Sequence, residues 1–228
     1  MSRFAVTRRD ARIEIAFDDG GMNLLSSAAL RELERAIADA RDARLLTFRS
    51  ARPRLFAAGA DMAEMQRFTA RDAAEFAELG QRAFASIEQL PFATVALIDG
   101  DCFGGALDLV LAFDLRFATP RSRFSHPGAR IGIVTGFGGT SRWRKAVHPP
   151  AARRLFLGNE ILNAEEAHSI GLIDRVAETF DEELTRLESL DPMTTRYLKE
   201  LTRHAEGLSR EEVRVLGGRL GELYLGRS

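Results

Sequence analysis

Cysteine occurs once, at Cys102, so no internal disulfide framework is possible, and its apolar neighbours mark an inert, buried thiol. Long hydrophobic runs are missing: none approaches the ~18 apolar residues of a membrane-spanning helix. The N-terminus lacks the pattern of a signal peptide, and a cytoplasmic location is expected. Excess charge is absent too. A formal net charge of −1 gives no electrostatic case for a nucleic-acid partner or an anionic membrane surface. No spacing of histidine, cysteine and acidic residues suggests a metal. Lysine is scarce, with Lys145 and Lys199 the only two among 32 basic residues. The arginines that make up the remainder suit bidentate contacts to phosphate. A genome-wide codon bias is the simpler account, and no arginine is assigned to a ligand on this ground. No linker rich in glycine, proline or serine marks a domain boundary, and no internal repeat is visible.

What is present is the material of one α/β domain. The chain has 228 residues, 45% of them apolar and 29% charged, enough for a sizeable core. Phe4 to Phe17 alternates and reads as a hairpin, closed by Asp18-Asp19-Gly20-Gly21. Ser26 or Ser27 caps a helix with apolar positions at Leu30, Leu33, Ala36, Ile37 and Ala40. Leu45 to Phe48 is a buried strand, and Pro53 turns the next residues into a loop. Thr69 and Asp72 open a longer helix that Pro91 ends, and Phe92 to Ile98 is the next strand. Strand and helix alternate, which implies crossover connections and a largely parallel sheet. Further on, Leu115 to Ala118 and Leu172 to Val176 are strands, with Pro149-Pro150 interrupting the helices between them. Asn163 is an N-cap, with Gly171 as the stop. Residues 181–226 read as three helices with turns at Asp191-Pro192 and Glu206-Gly207.

Two stretches carry the chemistry. In Ile98 to Ala118, IDGDCFGGALDLVLAFDLRFA, a strand leads through Gly104-Gly105 into a buried helix that holds a single acid, Asp108. Such a turn exposes backbone N–H groups that stabilise negative charge without any side chain. In Leu55 to Met65, LFAAGADMAEM, Gly59-Ala60-Asp61 makes a second turn of the same kind. Two such turns aiming one N–H each at a common point form an oxyanion hole. An acid in a first helical turn also suits the helix dipole alone, and paired glycine turns also serve packing.

These motifs, with the span from Phe124 to GFGGT at Gly136–Thr140 and with LNAEEAHSIGLIDRV, resemble the crotonase family of enoyl-CoA hydratases and isomerases. The likeness covers about residues 4 to 177 in unbroken order. It implies an α/β fold: a crotonase-type spiral of ββα turns over residues 1–180. A helical C-terminal region, 181–228, is expected to pack with that core as one unit. It also implies an acyl-CoA or enoyl-CoA thioester as partner, with coenzyme A part of the substrate and no permanently bound cofactor. A homo-trimer or hexamer is the family habit. The tail is short for the family, which leaves subunit packing and cover of the adenine end as the weakest inheritances.

Carried over by motif, the oxyanion donors are the amides of Ala60 and Gly105, with Ala58, Asp61 and Gly104 beside them as substrate-binding positions. The acid–base residues depart from the family. Where enoyl-CoA hydratases resemble GGxxE, this chain has Asp108, one methylene shorter, which is expected to face the thioester pocket as its main catalytic carboxylate. The family's second glutamate follows the proline of a Phe-x-x-Pro-Glu stretch, and here Phe124-Ser125-His126-Pro127-Gly128 leaves glycine in that slot. Hydration needs two positioned groups to activate water and handle the α-proton. Efficient ordinary hydration is therefore not expected, and replacing Gly128 and Asp108 by glutamate is expected to raise it. His126 would share a face with the vacant slot in extended chain and titrates near neutral pH; a structural histidine is the plainer reading. Thr135 lies near where some members carry a catalytic side chain, or is a turn hydroxyl. His148, His168 and His204 read as structural or exposed. Two functions stay open: an enolate-stabilising enzyme on coenzyme A thioesters, and a crotonase-fold binding or scaffold protein that has lost catalysis.

Overall fold

The computed structural model describes residues 2–40 and 42–204. The third C-terminal helix, the Glu206-Gly207 turn and the chain end at Ser228 lie outside the described residues. Strands β1 (Phe4–Arg9) and β2 (Arg12–Phe17) form the expected antiparallel hairpin. After β3 (Leu24–Leu25), Ser26 caps α1 (Ser27–Ala38) by accepting the Ala29 amide. Next come β4 (Leu45–Ser50), β5 (Leu55–Ala57), β6 (Gly59–Ala60), and the helices α2 (Met62–Met65) and α3 (Ala70–Glu88). The Thr69–Asp72 capping box opens α3, and Gln89 closes it two residues before Pro91. The chain continues through β7 (Ala93–Ile98), β8 (Asp101–Phe103), α4 (Gly105–Val110), β9 (Leu115–Ala118) and β10 (Arg123–Ser125). A 3-10 turn over Pro127–Ile131 precedes α5 (Gly139–Ala146) and α6 (Pro149–Gly158). Last are β11 (Leu162–Asn163), α7 (Ala164–Ser169), β12 (Arg175–Val176), α8 (Asp181–Glu188) and α9 (Pro192–His204).

Successive turns of the chain give β4, β7 and β9 to a large sheet and β5, β8 and β10 to a small one, while β3 and β6 pair by themselves. The large sheet runs β1-β2-β4-β7-β9-β12, parallel from β2 onward. The small sheet runs β11-β10-β8-β5, with β5, β8 and β10 parallel. This is the ββα spiral, visible in space although no repeat is visible in the sequence. The helices cover it with apolar faces at helical spacing: α1 buries Ala29, Leu30, Leu33, Ala36 and Ile37, and α3 buries Phe76, Leu79, Ala83, Phe84 and Ile87.

Three sequence expectations change. The helices do break here, at Val147 and His148, but Pro149 and Pro150 lie within the second one and start α6, where a missing amide hydrogen costs nothing. The strand at Leu172 to Val176 shrinks to Arg175–Val176, because the Leu172 and Ile173 amides turn back to the Ala167 carbonyl. The loop after Pro53 is brief and gives way to β5, which pairs with β8.

At the C-terminal side, Phe180 and Leu184 bury against Leu45, Ala93, Val95 and Phe117 of the large sheet. Lys199 of α9 reaches back to Asp114 at 2.6 Å and donates to the Phe92 carbonyl at 3.0 Å. Both helices thus lie on the edge of the same core.

Phe137 is closely packed in the interior. Its ring meets Phe76 and Phe84 edge-on at 5.1 and 5.5 Å. It also presses on Gly80, where a Cβ would stand 2.0 Å from Cδ1 of the ring. Alanine at 80 would gain about 1 kcal/mol of helix propensity. Overpacking a ring that is itself enclosed costs about 1–3 kcal/mol, so the steric effect wins. Gly80→Ala is expected to destabilise the fold in urea unfolding; a gain in stability would show that Phe137 is free to move.

Candidate active site

The site is built at the C-terminal ends of three adjacent strands. Leu55 and Arg123 both pair with Asp101, and Ala57 and Phe124 both pair with Cys102, so β5, β8 and β10 end side by side. The segments leaving those ends meet: Ala58 to Asp61 from β5, Gly104-Gly105 from β8, and His126 to Gly128 from β10. The Gly104 amide donates to the Ser125 carbonyl at 2.9 Å, tying two of the three exits together.

Glycine is required where the first two exits touch. Gly59 has φ +98°, and a Cβ there would lie 2.8 Å from the Phe103 carbonyl oxygen and 2.9 Å from the Gly105 nitrogen. Gly104, at φ +56°, turns the chain into α4 with its amides leading. On the other turn, the Asp61 amide donates to the Leu25 carbonyl on the neighbouring strand. Amides alternate sides along extended chain, so the Ala60 amide faces away from that strand, toward Gly105. The Ala60 nitrogen lies 3.5 Å from where a Gly105 Cβ would stand.

These turns floor a cavity of about 340 Å³, lined by Ala58, Ala60, Gly104 and Gly105 on one side and by residues of α2, α3 and the Ile131–Phe137 segment on the other. Its walls are aliphatic and aromatic. Among the described residues, the polar side chains lining it are those of His126 and Thr135. Asp61 lies elsewhere, as the N-cap of α2, accepting the Glu64 amide at 3.0 Å. Its part is to hold the helix after the turn.

Asp108 does not line the cavity. It is wholly buried behind the wall. The Thr135 hydroxyl donates to its Oδ2, and Trp143 Nε1 donates to Oδ1 at 3.4 Å. Gly139, the first residue of α5, packs so closely on the carboxylate that a Cβ there would stand 1.8 Å from Oδ1. Burial pushes the Asp108 carboxyl up to about 6, against the opposing pull of Thr135, Trp143 and the Arg142 charge. Cys102 is fully buried as expected, and burial, with Asp108 and Asp101 nearby, raises its thiol well out of the reactive range.

His126 is buried as well, at 4% exposure. Among the described residues, neither ring nitrogen has a hydrogen-bond partner. Nε2 lies 4.0 Å from Asp108 Oδ1, and the ring of Phe156 lies tilted against the imidazole, 4.7 Å away between centroids. The imidazole fills the space beside Gly128: a Cβ on Gly128 would sit 3.1 Å from Cε1 and 3.2 Å from Nδ1. That Cβ would also meet the Ile133 carbonyl oxygen at 2.6 Å, and this is backbone that does not yield cheaply. The slot that reads as vacant in the sequence is occupied in space, and glutamate at 128 does not fit the chain as folded. Two other histidines stand apart from the site: His148 occupies the N-cap position of α6 without a side-chain capping bond, and His168 Nδ1 pairs with the Ile173 carbonyl at 2.8 Å.

Sequence reasoning missed Phe137, Trp143 and Phe156. GFGGT marked a turn, but nothing in it says that the Phe137 ring lies 3.0 Å from where a Gly105 Cβ would stand. Trp143 and Phe156 look like ordinary core positions, and the polar partner of the indole is 35 residues away.

Known proteins agree with this architecture. The sequence model of the family described as Enoyl-CoA hydratase/isomerase matches residues 8–216. The chain belongs to the enoyl-CoA hydratase/isomerase family. It is 36% identical over 160 residues to a crotonyl-CoA hydratase of Syntrophomonas wolfei, covering 69% of this chain and 62% of that protein. It is 33% identical over 162 residues to the mitochondrial methylglutaconyl-CoA hydratase of Homo sapiens, covering 69% of this chain and 48% of that one. The chain thus spans less than two thirds of the length of these curated relatives. The crystal structure of an enoyl-CoA hydratase from Thermoplasma volcanium superposes with a TM-score of 0.92 at 22% identity, over 99% of this chain and 93% of that one. A likeness at that identity is one of fold: the ββα spiral is the crotonase fold.

The buried carboxylate has a consequence for stability within this enoyl-CoA hydratase/isomerase family member. Its unfolded value is the ordinary 3.8 and its folded value about 6. Below the unfolded value both states hold the proton and no stability is lost. As pH rises toward 6 the unfolded state ionises first, and stability falls by about 3 kcal/mol before levelling off. Asp108→Asn removes that loss. Urea unfolding from pH 4 to 7 is expected to show the variant gaining on the parent as pH rises; a difference constant with pH would mean the carboxyl is solvated.

Proposed function

We propose that this chain is an enzyme acting on coenzyme A thioesters of apolar acyl groups, and that it stabilises an enolate oxygen between the amides of Ala60 and Gly105. The observation that carries this reading is the contact of two strand-to-helix turns at the floor of an apolar cavity, with the backbone of both turns lining it. A thioester carbonyl gains charge on oxygen only as the α-proton leaves. Fixed backbone dipoles then stabilise the transition state without reorganising, and one such donor is worth about 3–4 kcal/mol. Coenzyme A is part of the substrate here, and nothing in the chemistry calls for another cofactor.

The proton inventory argues against ordinary hydration. Adding water across a double bond needs a held water and two proton-carrying groups. The cavity wall offers one imidazole and one hydroxyl, with the acid Asp108 set behind that hydroxyl. A reaction that moves one proton on and off carbon fits this set, as in shifting a double bond along an enoyl chain. Asp108 and Thr135 act in this reading as a pair. The buried carboxylate takes the hydroxyl hydrogen, which turns the Thr135 oxygen's lone pairs toward the cavity.

A binding protein without catalysis is the second reading, favoured by one observation: no carboxylate lines the cavity among the described residues. Exchange of the α-protons of butyryl-CoA in heavy water separates the two, since a binder would hold the thioester and leave its protons in place. Measurable exchange is expected. Gly59→Ala is expected to lower it by ~10²–10³-fold, because the added carbon forces the two amide-bearing turns apart. Binding without exchange in the parent protein would establish the second reading.

A further inference from the structure

A buried imidazole whose nitrogens find no partner among the described residues stands in the wall of the cavity, and the enolate chemistry has so far given it no part. Buried polar atoms nearly always find a partner, and an orphan asks for a reason. His126 is held where it is by three contacts. Its backbone continues from β10, whose Ser125 carbonyl accepts the Gly104 amide. Its ring lies against Phe156 on one side and over Gly128 on another. Only a glycine at 128 leaves the room that the imidazole takes. Position 126 thus fills the space that the chain left open two residues later.

We propose that His126 is the catalytic base of this site, taking the α-proton of a bound acyl-CoA thioester and returning a proton to carbon. This rests on the oxyanion reading above. As the Cα–H bond breaks, the proton passes to a ring nitrogen and the electron pair moves into the carbonyl, whose oxygen becomes the enolate oxygen at Ala60 and Gly105. The imidazolium, whose N–H hydrogens exchange with solvent, then gives a proton to Cα, or to Cγ where the acyl chain is β,γ-unsaturated. A proton is returned, so no co-reactant is consumed. Burial lowers the His126 pKa, which keeps the ring neutral and ready to accept at neutral pH. The charged group facing it is Asp108 of α4, 4.0 Å away and itself under the field of Arg142 from α5. Phe156 of α6 and the backbone of Gly128 supply no charge. A carboxylate at that distance attracts the imidazolium once it forms, so Asp108 acts as a positioning residue for both His126 and Thr135.

The test uses acetoacetyl-CoA, whose bound enolate has its own ultraviolet band, together with α-proton exchange of butyryl-CoA. In the parent protein the enolate band is expected on binding. The exchange rate should rise with pH and level off below the ordinary histidine value of 6.5. His126→Gln should still bind acetoacetyl-CoA, lose the band, and exchange protons ~10²–10⁴-fold more slowly. His126→Gly should recover part of the exchange when free imidazole is added, which a merely structural histidine would not show. A band and exchange rate unchanged in His126→Gln, with thioester bound, would overturn the assignment and leave the oxyanion reading standing. Should either variant fail to fold, the pH profile of the parent decides: exchange that does not fall on acidification counts against an imidazole base. Failure of the parent protein to bind the thioester, or to form the enolate once it is bound, would overturn both readings.

Discussion

Parallel pairing of three very short strands is the constraint on which this molecule's chemistry depends. β5, β8 and β10 contribute only three residues each, yet their register brings three chain exits level at one end of the small sheet. Each exit then bends, and the bends supply backbone amides where side chains would otherwise project. The arrangement explains why so little of the cavity floor is specified by side chains. Glycine and alanine are what remains when two backbones must approach within van der Waals contact.

A second layer lies behind the wall. Asp108 links α4 to the segment carrying Thr135, and through Trp143 to α5, while Gly139 lets α5 come close enough to seal the carboxylate from water. The cost of ionising such a group is set against hydrogen bonds that fix the loop facing the substrate. Arg142 makes a bidentate pair with Glu88 of α3 and donates to the Phe137 carbonyl at 2.8 Å. Gln81 of α3 donates to the Gly136 carbonyl at 2.7 Å. The segment from Thr135 to Gly139 is thus anchored at several points, and rigidity there is what a preorganised site requires.

The sequence made the fold legible where local chemistry and burial agree. The hairpin at Phe4 to Phe17, the capping residues Ser26, Thr69 and Asn163, and the strand at Leu115 to Ala118 all come from patterns a few residues long. The two glycine turns were legible for the same reason. The hidden features depend on contacts between residues far apart in the chain. The position of Asp108 behind Thr135 reflects the packing of α5 on α4, and the first-turn acid of a short helix says nothing about which wall it stands behind. Gly80 reads as a weak point in a helix, and only the fold shows the Phe137 ring that requires it.

Gly128 carries a consequence for which sequences this wall can accept. The imidazole of His126 and a side chain at 128 claim the same volume, and the Ile133 carbonyl closes the other side. Passage between a chain with an acid at 128 and this one therefore crosses a valley. Adding the acid first collides with main chain, and removing the histidine first leaves a hole in the wall. The Ile133 carbonyl must shift in the same step. An imidazole at 126 and a side chain at 128 thus exclude each other in the chain as folded, and no single replacement exchanges one for the other.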